Sequence, residues 1–202
     1  LELSSRVSTK ESYESSADNP SLKVALLDLG VKNSIVKCLV ARGCHVKVFP
    51  MNTPVSEMNA FNPDGFMLSN GPGDPSAMSY ATATIQELIN SGKPVFGICA
   101  GHHITGFMYG AEILRSIEPE SGDYEVEIIK QDRIFKGLPK TLKVKQIHND
   151  SVNLPEEFEL LATSKSCSNQ MMKHQKKPIY TTQFHPEFYN RDLILNFIAL
   201  CK

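Results

Sequence analysis

The stretch Pro94-Val-Phe-Gly-Ile-Cys-Ala-Gly101 decides the fold class of this chain. Its first five residues form a short, continuous apolar run of strand length, and residues 102–109 predict a helix directly behind it. Three similar runs precede it along the chain, at residues 23–29, 44–49 and 65–68. Helices are predicted from Asn33 or Ser34 to Gly43, and at residues 81–89. Apolar strands that alternate with helices predict an α/β fold, with a mostly parallel central sheet flanked by helices on both faces.

The second half of the chain has a different pattern. Strand-like runs occur at residues 124–129, 142–147, 159–163 and 179–184, and a clear helix follows them at 192–201. Strands without intervening helices favour antiparallel pairing, so we expect a small antiparallel extension before the chain returns to the main sheet. Residues 1–21 are rich in Ser, Glu and Lys and are predicted to be a linker or arm, which leaves residues 22–202 as one domain.

Composition argues against several classes of protein. The 202 residues carry 21 Lys and Arg against 22 Asp and Glu, a formal net charge of −1, whereas dedicated nucleic-acid binders carry a basic excess. No apolar run approaches the roughly 18 residues of a membrane span, and the first 20 residues contain no apolar signal-peptide core. The five Cys show no paired spacing, which favours free thiols. We therefore expect a cytoplasmic protein that binds neither nucleic acid nor membrane.

Cys99 stands between two glycines, after the predicted strand and before the predicted helix. This arrangement is typical of a nucleophile elbow, in which small neighbours let the reactive side chain stand above the sheet edge. The positive end of the helix dipole also favours a thiolate. A buried structural Cys is the alternative, because free Cys is among the most buried residue types. The strand before Cys99 and the helix after it favour the nucleophile.

The segment Ser69-Asn-Gly-Pro-Gly-Asp-Pro75 follows the third predicted strand. Two glycines, two prolines and an Asn make a rigid loop, and such loops can direct successive backbone N–H groups towards an anion. Beside a nucleophile, the loop would form an oxyanion hole. Taken alone, it is more often an ordinary tight turn.

His185 and Glu187 lie in Phe184-His-Pro-Glu187, directly after a strand-like run. A Cys nucleophile needs a base, and the base needs a partner that orients it. A His two residues before a carboxylate at a strand end can place both groups near one sheet edge. We therefore predict that His185 is the base and Glu187 its partner, although either residue type alone is more often found on the surface.

Together, these three stretches resemble the class I glutamine amidotransferases, a family with a Cys-His-Glu triad. The motifs that carry the resemblance are Gly97-Ile-Cys-Ala-Gly-His102 and Phe184-His-Pro-Glu187. The resemblance covers nearly everything from Lys23 to Cys201. It implies a flavodoxin-like fold and an enzyme that uses L-glutamine.

Two parts of the chain resemble different branches of that family. Residues 27–33 and 68–75 are similar to the small subunit of carbamoyl-phosphate synthetase, whereas residues 124–128 and 135–139 look more like GMP synthetase. The resemblance implies that the chain supplies ammonia to a synthetase subunit or to a fused synthetase domain. Carbamoyl-phosphate synthetase, which would place the chain in pyrimidine and arginine biosynthesis, is the first expectation. GMP synthetase and a stand-alone amidotransferase stay open as alternatives.

The resemblance also implies a mechanism, in which Cys99, His185 and Glu187 form the triad and glutamine passes through a thioester on Cys99. It implies no metal and no cofactor in this chain, with ATP and Mg used by the partner synthetase. The residues implied to contact substrate are Gly71, Gly73, Ala100, His103, Asn149 and Asp150, the first three through backbone N–H groups at the oxyanion and Asp150 at the α-ammonium group.

His103 departs from the family pattern, because the family usually has a Gln there that helps to hold the substrate. An imidazole is shorter than this side chain and offers a different set of donors. A catalytically impaired regulatory subunit of the same fold is therefore an alternative interpretation. A γ-glutamyl hydrolase or peptidase is another, because it would share the thioester chemistry.

Overall fold

A computed structural model of the chain describes residues 3–72 and 79–202. The strands in these residues are β1 (Tyr13–Ser16), β2 (Leu22–Asp28), β3 (Cys44–Pro50), β4 (Gly65–Leu68), β5 (Val95–Ile98), β6 (Ile113–Ile128), β7 (Thr141–Val152), β8 (Phe158–Thr163), β9 (Met171–His174) and β10 (Ile179–Thr182). The helices are α1 (Ser4–Val7), α2 (Asn33–Val40), α3 (Val55–Ala60), α4 (Ser79–Asn90), α5 (Ala100–Met108), α6 (Pro186–Tyr189) and α7 (Arg191–Leu200). These strands form one mixed sheet in the order β1-β3-β2-β4-β5-β10-β9-β8-β6-β7. No helix in the described residues has both the length and the apolar character to cross a bilayer.

Apart from its edge strand β1, the first half of the sheet is parallel, as the alternation of strands and helices predicts. Strand β2 pairs in parallel with β3 and β4, β4 pairs with β5, and β5 pairs with β10. Successive residues of β2 point into two different apolar clusters, with Leu26 in one and Leu27 in the other. Helices α2 and α7 contribute to the first cluster, and α3, α4 and α5 contribute to the second. The sheet is therefore covered by helices on both faces, which confirms the predicted fold class.

The second half of the sheet is antiparallel and larger than the small extension that the sequence predicts. Beyond β10 the sheet continues through β9, β8, β6 and β7, and each neighbouring pair is antiparallel. The sequence pattern does not predict β9, because this strand is only four residues long and carries Lys173 and His174 among its side chains. Strands β6 and β7 form a long hairpin whose register is irregular between Arg115 and Glu120. The predicted return to the main sheet is made by β10.

The N-terminal segment, predicted as a linker or arm, contains a helix and an edge strand in its described part. Strand β1 pairs antiparallel with β3, with Tyr13 opposite Val48. The backbone N–H of Thr9 donates to Asp28 Oδ2 at 2.8 Å, and the Ser4 hydroxyl donates to the carbonyl of Pro72. The segment is thus packed on the domain. The sequence pattern does not predict β1, because this edge strand is mostly exposed and has no apolar face.

The parallel strands bring the three sequence motifs to one edge of the sheet. The loop that starts at Ser69 follows β4, Cys99 follows β5, and His185 follows β10 after a two-residue connection. Ile98 lies opposite Thr182 in the pairing of β5 with β10, so the chain leaves these two strands side by side. Because parallel strands end in the same direction, this edge collects the candidate functional residues.

Gly101 allows helix α5 to approach the end of strand β4. Its backbone N–H donates to the carbonyl of Ser69 at 3.2 Å. A Cβ at Gly101 would lie 2.6 Å from the carbonyl oxygen of Leu68. That oxygen belongs to a buried backbone and has no freedom to move aside, so the close approach requires glycine.

We expect Gly101→Ala to lower the free energy of unfolding by about 3 kcal/mol, because an added methyl group forces backbone shifts in a packed core. Gly92→Ala is the matched control, since Gly92 has a φ of +75° and no atom within 4 Å of its Cβ position. There we expect only backbone strain, about 1 kcal/mol. Urea unfolding measures both changes. If Gly101→Ala loses no more unfolding free energy than Gly92→Ala, the result would contradict the close contact between α5 and β4.

Candidate active site

Cys99 occupies a strained turn between β5 and α5. Its backbone has φ 52° and ψ −97°, a conformation that costs a non-glycine residue on the order of 1–3 kcal/mol. The backbone N–H of Cys99 donates to the carbonyl of Thr182 at 2.8 Å, which ties the turn to the neighbouring strand. Gly97 also has no room for a side chain, because its Cβ would lie 2.8 Å from the carbonyl oxygen of Gly101. The turn therefore has the strand–turn–helix form that the sequence predicts for a nucleophile.

Burial raises the pKa of the Cys99 thiol to about 12. The backbone N–H of Ala100 and the positive charge of Lys32 lower this pKa, but their effect is smaller than that of burial. The thiolate expected from the helix dipole is therefore disfavoured by desolvation, and the group holds its proton at neutral pH. A neighbouring base must take that proton when the sulfur reacts.

His185 and Glu187 form a buried pair at the end of the adjacent strand. His185 Nδ1 lies 3.0 Å from Glu187 Oε1, and the exposed fractions of the two residues are 1% and 3%. Glu187 belongs to the first turn of α6, directly after His185. A carboxylate can only accept, so the ring proton lies on Nδ1 and Nε2 is left able to accept a proton. This is the protonation state that a general base requires.

Cys99 and His185 line the same cavity, whose volume is about 770 Å³. Six of the residues predicted from the sequence border it: Gly71, Cys99, His103, Asn149, Asp150 and His185. Ala100 and Glu187 directly adjoin this set, as the residue after Cys99 and the partner of His185. Gly73 lies outside the described residues. The structure therefore places the predicted triad and most of the predicted substrate contacts around one cavity.

The loop after β4 is held against the loop after β2. The Ser69 hydroxyl accepts a hydrogen bond from the backbone N–H of Leu29 at 2.9 Å. Asn70 Oδ1 accepts from the backbone N–H of Lys32 at 3.0 Å. A Cβ at Gly71 would overlap the carbonyl of Leu29, so the two backbones touch where Gly71 borders the cavity. These contacts fix the described part of the loop in one position.

His103 is a buried wall of the cavity, with an exposed fraction of 6%. Its Nε2 lies 2.7 Å from Gln183 Oε1. The neighbouring His102 has a different partner, because its Nδ1 lies 2.8 Å from the Thr181 hydroxyl. Burial lowers the pKa of His103 to about 4, so the ring is neutral at physiological pH.

Four ionisable side chains that the sequence analysis does not assign to the site also border the cavity: Lys32, Arg115, Glu120 and His148. His148 has a usable signal, because burial alternates along β7 from Leu142 and places His148 on the buried face. Glu120 has none. It lies opposite His148 only because of the register that β6 takes after the irregular stretch that begins at Arg115.

Comparisons with known proteins agree with this geometry. The family described as glutamine amidotransferase class-I matches residues 25–199. The glutamine-hydrolyzing GMP synthase subunit of Pyrococcus abyssi is 36% identical over 168 residues, covering 79% of this chain and 87% of that protein. The carbamoyl phosphate synthase small chain of a Nostoc species is 37% identical over 174 residues, covering 83% of this chain and 42% of that protein. The crystal structure of a protein from Thermoplasma acidophilum, assigned as the corresponding GMP synthase subunit, has a TM-score of 0.82 and 33% identity, covering 89% of this chain and 94% of that one.

The buried, neutral His103 predicts a pH dependence of stability. An unfolded His titrates near pH 6.5, whereas burial lowers the pKa of His103 to about 4 in the folded chain. Between these two values the unfolded chain binds a proton that the folded chain does not, so stability falls as the pH falls. We expect His103→Gln to remove about 3 kcal/mol of this acid-induced loss.

Chemical denaturation of the two proteins between about pH 8 and pH 4 measures this difference. Their free energies of unfolding at about pH 8, where His103 is neutral in both states, provide the reference. If plots of the free energy of unfolding against pH stay parallel for the two proteins down to about pH 4, His103 is not a buried neutral ring.

Proposed function

This chain belongs to the class-I glutamine amidotransferases, and from this premise we propose that it hydrolyses L-glutamine to glutamate and ammonia through a thioester on Cys99. One observation carries the proposal. Cys99 and His185 follow paired strands, border one cavity, and His185 has its Nδ1 3.0 Å from Glu187. A buried thiol, a base and an orienting carboxylate are the groups that thiol-based acyl transfer requires.

In the first step, the sulfur of Cys99 attacks the side-chain carboxamide carbon of glutamine. His185 Nε2 accepts the thiol proton, and Glu187 stabilises the imidazolium that forms. The C–N bond then breaks and the proton passes from His185 to the leaving nitrogen, so that ammonia departs and a γ-glutamyl thioester remains. Because the pKa of the thiol is raised to about 12, attack and proton transfer are closely linked.

The oxyanion that forms during attack needs N–H donors. We assign this role to the backbone N–H of Ala100 and to the loop at Gly71, with Gly73 as a further proposed donor outside the described residues. Ala100 N–H already lies close enough to the Cys99 sulfur to lower its pKa. Donors held in place before the reaction stabilise a developing charge without a cost of reorganisation.

In the second step, a water molecule attacks the thioester carbonyl. His185 takes a proton from the water, the C–S bond breaks, and the proton returns to the sulfur as glutamate leaves. Asn149 and Asp150 border the cavity and are the proposed contacts of the amino-acid part of the substrate. No step uses a cofactor bound to this chain, and we assign ATP and Mg to the partner synthetase.

We propose that the ammonia serves a synthetase, and two acceptors are supported to the same extent. The relative named as a GMP synthase subunit and the relative named as a carbamoyl phosphate synthase small chain are 36% and 37% identical to this chain. The chain spans 42% of the length of the Nostoc small chain. Carbamoyl-phosphate synthetase remains the first candidate from the sequence, and GMP synthetase is the second.

We expect Cys99→Ser to abolish glutamine hydrolysis while leaving the fold intact, because the change replaces one atom in a buried turn. Glutamate release measures the activity, and circular dichroism with thermal unfolding controls for the fold. Wild-type protein treated with diazo-oxo-norleucine should carry a covalent adduct on Cys99 by mass spectrometry. A folded wild-type protein without that adduct would favour the interpretation as a regulatory protein, in which His103 has impaired the site.

Partner specificity is tested by mixing the chain with a carbamoyl-phosphate synthetase large subunit or with the synthetase subunit of GMP synthetase. We expect one partner, and not the other, to form its product from glutamine, since ammonia transfer requires a matched complex. Each partner supplied with ammonium chloride is the positive control, and the Cys99→Ser chain is the negative control. Release of glutamate from γ-glutamyl peptides but not from glutamine would instead support a hydrolase.

A further inference from the structure

His185 lies on a short connection that leaves the sheet. Strand β10 ends at Thr182, and residues 183–184 separate it from His185. The pairing of β10 with β5 also ends at Thr182, so it does not fix the chain beyond that residue. The backbone N–H of His185 donates to the carbonyl of Lys145 in β7 at 3.0 Å. That bond ties His185 to the hairpin, whereas Cys99 belongs to the turn before α5.

A side chain of α5 reaches this connection. Gln183 is completely buried, and its Oε1 lies 2.7 Å from Nε2 of His103. In either orientation of the carboxamide, a neutral imidazole forms one hydrogen bond with it, because the ring nitrogen donates to the oxygen or accepts from the nitrogen. The Nε2 atom of Gln183 meets no other partner in the described part of the chain. His103 is therefore the group that holds this carboxamide, and its loss would leave a buried polar group unpaired.

His103 is also tied to the residue that carries the thiol. Its backbone N–H donates to the carbonyl of Cys99 at 2.9 Å, which is the first hydrogen bond of helix α5. A chain of contacts thus runs from Cys99 through His103 to Gln183. From Gln183, two further residues of backbone lead to His185. Each step is a hydrogen bond or a short piece of backbone, so this chain links the position of the base to that of the thiol.

We propose that His103 is a positioning residue, which holds Gln183 and thereby sets the position of His185 relative to Cys99. The inference rests on the proposed glutaminase function. It gives His103 a role different from the direct substrate contact that the family resemblance implies at this position. Because both partners of the contact belong to the protein, the contact is made before any substrate binds.

The uncharged state of His103 suits this role. Burial lowers the pKa of His103 to about 4, so the ring is neutral at physiological pH. In the mechanism that we propose, His185 borders the same cavity and becomes an imidazolium. A neutral ring holds Gln183 without adding a second positive charge, which would disfavour that imidazolium.

The test removes the contact from each end in turn. We expect His103→Leu and Gln183→Leu each to lower kcat for glutamine hydrolysis at least about 10-fold, because a misplacement of about 1 Å can cost about 100-fold. We expect KM to change less than about 3-fold, because the contact is the same with and without substrate. The double variant should be no slower than the slower single variant, because the two side chains act as one unit.

Two further variants separate positioning from a general disturbance of the fold. His103→Gln should keep kcat within about 3-fold of wild type, because a carboxamide can still form a hydrogen bond with Gln183. Thr181→Val is the matched control, since it removes the hydroxyl that lies 2.8 Å from Nδ1 of His102, the neighbouring ring of α5. It leaves the connection to His185 untouched, so kcat should change less than about 3-fold. Circular dichroism and thermal unfolding check the fold of every variant.

Several results would overturn the proposal. An unchanged kcat with a raised KM in His103→Leu would indicate a direct substrate contact instead. Losses that multiply in the double variant would show that the two side chains act separately. A His103→Gln chain as slow as His103→Leu, or an equal loss in Thr181→Val, would also count against positioning. If His103→Leu fails to fold, Gln183→Leu breaks the same contact from the other side, and an unchanged kcat there would overturn the proposal.

A reaction that does not use glutamine separates failure of this inference from failure of the proposed function. Iodoacetamide alkylates the sulfur of Cys99, iodide leaves, and the base takes the thiol proton. Mass spectrometry of the peptide that contains Cys99 gives the rate at neutral pH. We expect His103→Leu and Gln183→Leu to slow this reaction towards the rate of His185→Ala, with Thr181→Val unchanged.

The two failures then give different results. A wild-type chain that is alkylated faster than His185→Ala, but does not hydrolyse glutamine with or without a synthetase, argues against the proposed function alone. Equal alkylation rates of wild type and His103→Leu, in a chain that hydrolyses glutamine, argue against the positioning role of His103 alone.

Discussion

The site depends on one constraint, the direct passage from a fully buried strand to a helix at Cys99. Strand β5 is buried on both faces, and α5 begins at the residue after Cys99, so the proposed nucleophile has no loop in which to relax. The turn holds a φ of 52° at Cys99 only because Gly97 and Gly101 remove the side chains that would collide there. Its hydrogen bond to Thr182 fastens it to the strand that carries His185. Strain at the thiol and its alignment with the base therefore have the same structural origin.

Burial sets the chemical character of the site. It raises the pKa of Cys99 and lowers that of His103, so both groups are uncharged at neutral pH. A thiol that keeps its proton is less open to oxidation and alkylation than a thiolate. In the mechanism that we propose, the thiol proton moves to His185 as the sulfur attacks, and this couples attack to the presence of a correctly placed substrate.

Local patterns in the sequence predict the strands and helices that carry Cys99 and His185. They miss features that depend on pairing between distant parts of the chain. The apolar runs around β2, β4 and β5 identify parallel strands, because strands buried on both faces are continuously apolar. Parallel strands then bring Cys99 and His185 together without further information. The position of Glu120 depends on a register shift in a long hairpin, which no local pattern encodes. Strand β1 escapes prediction for a related reason, because its order comes from pairing with β3 rather than from its own side chains.

The two halves of the sheet contribute different parts of the cavity. The parallel half carries the thiol and the imidazole on short connections, whereas the β6–β7 hairpin contributes Arg115, Glu120 and His148 to the cavity wall. The groups that we propose for catalysis and those of the facing wall therefore lie on separate pieces of backbone. A different hairpin on the same parallel scaffold would change the shape and charge of the cavity while Cys99 stays where it is.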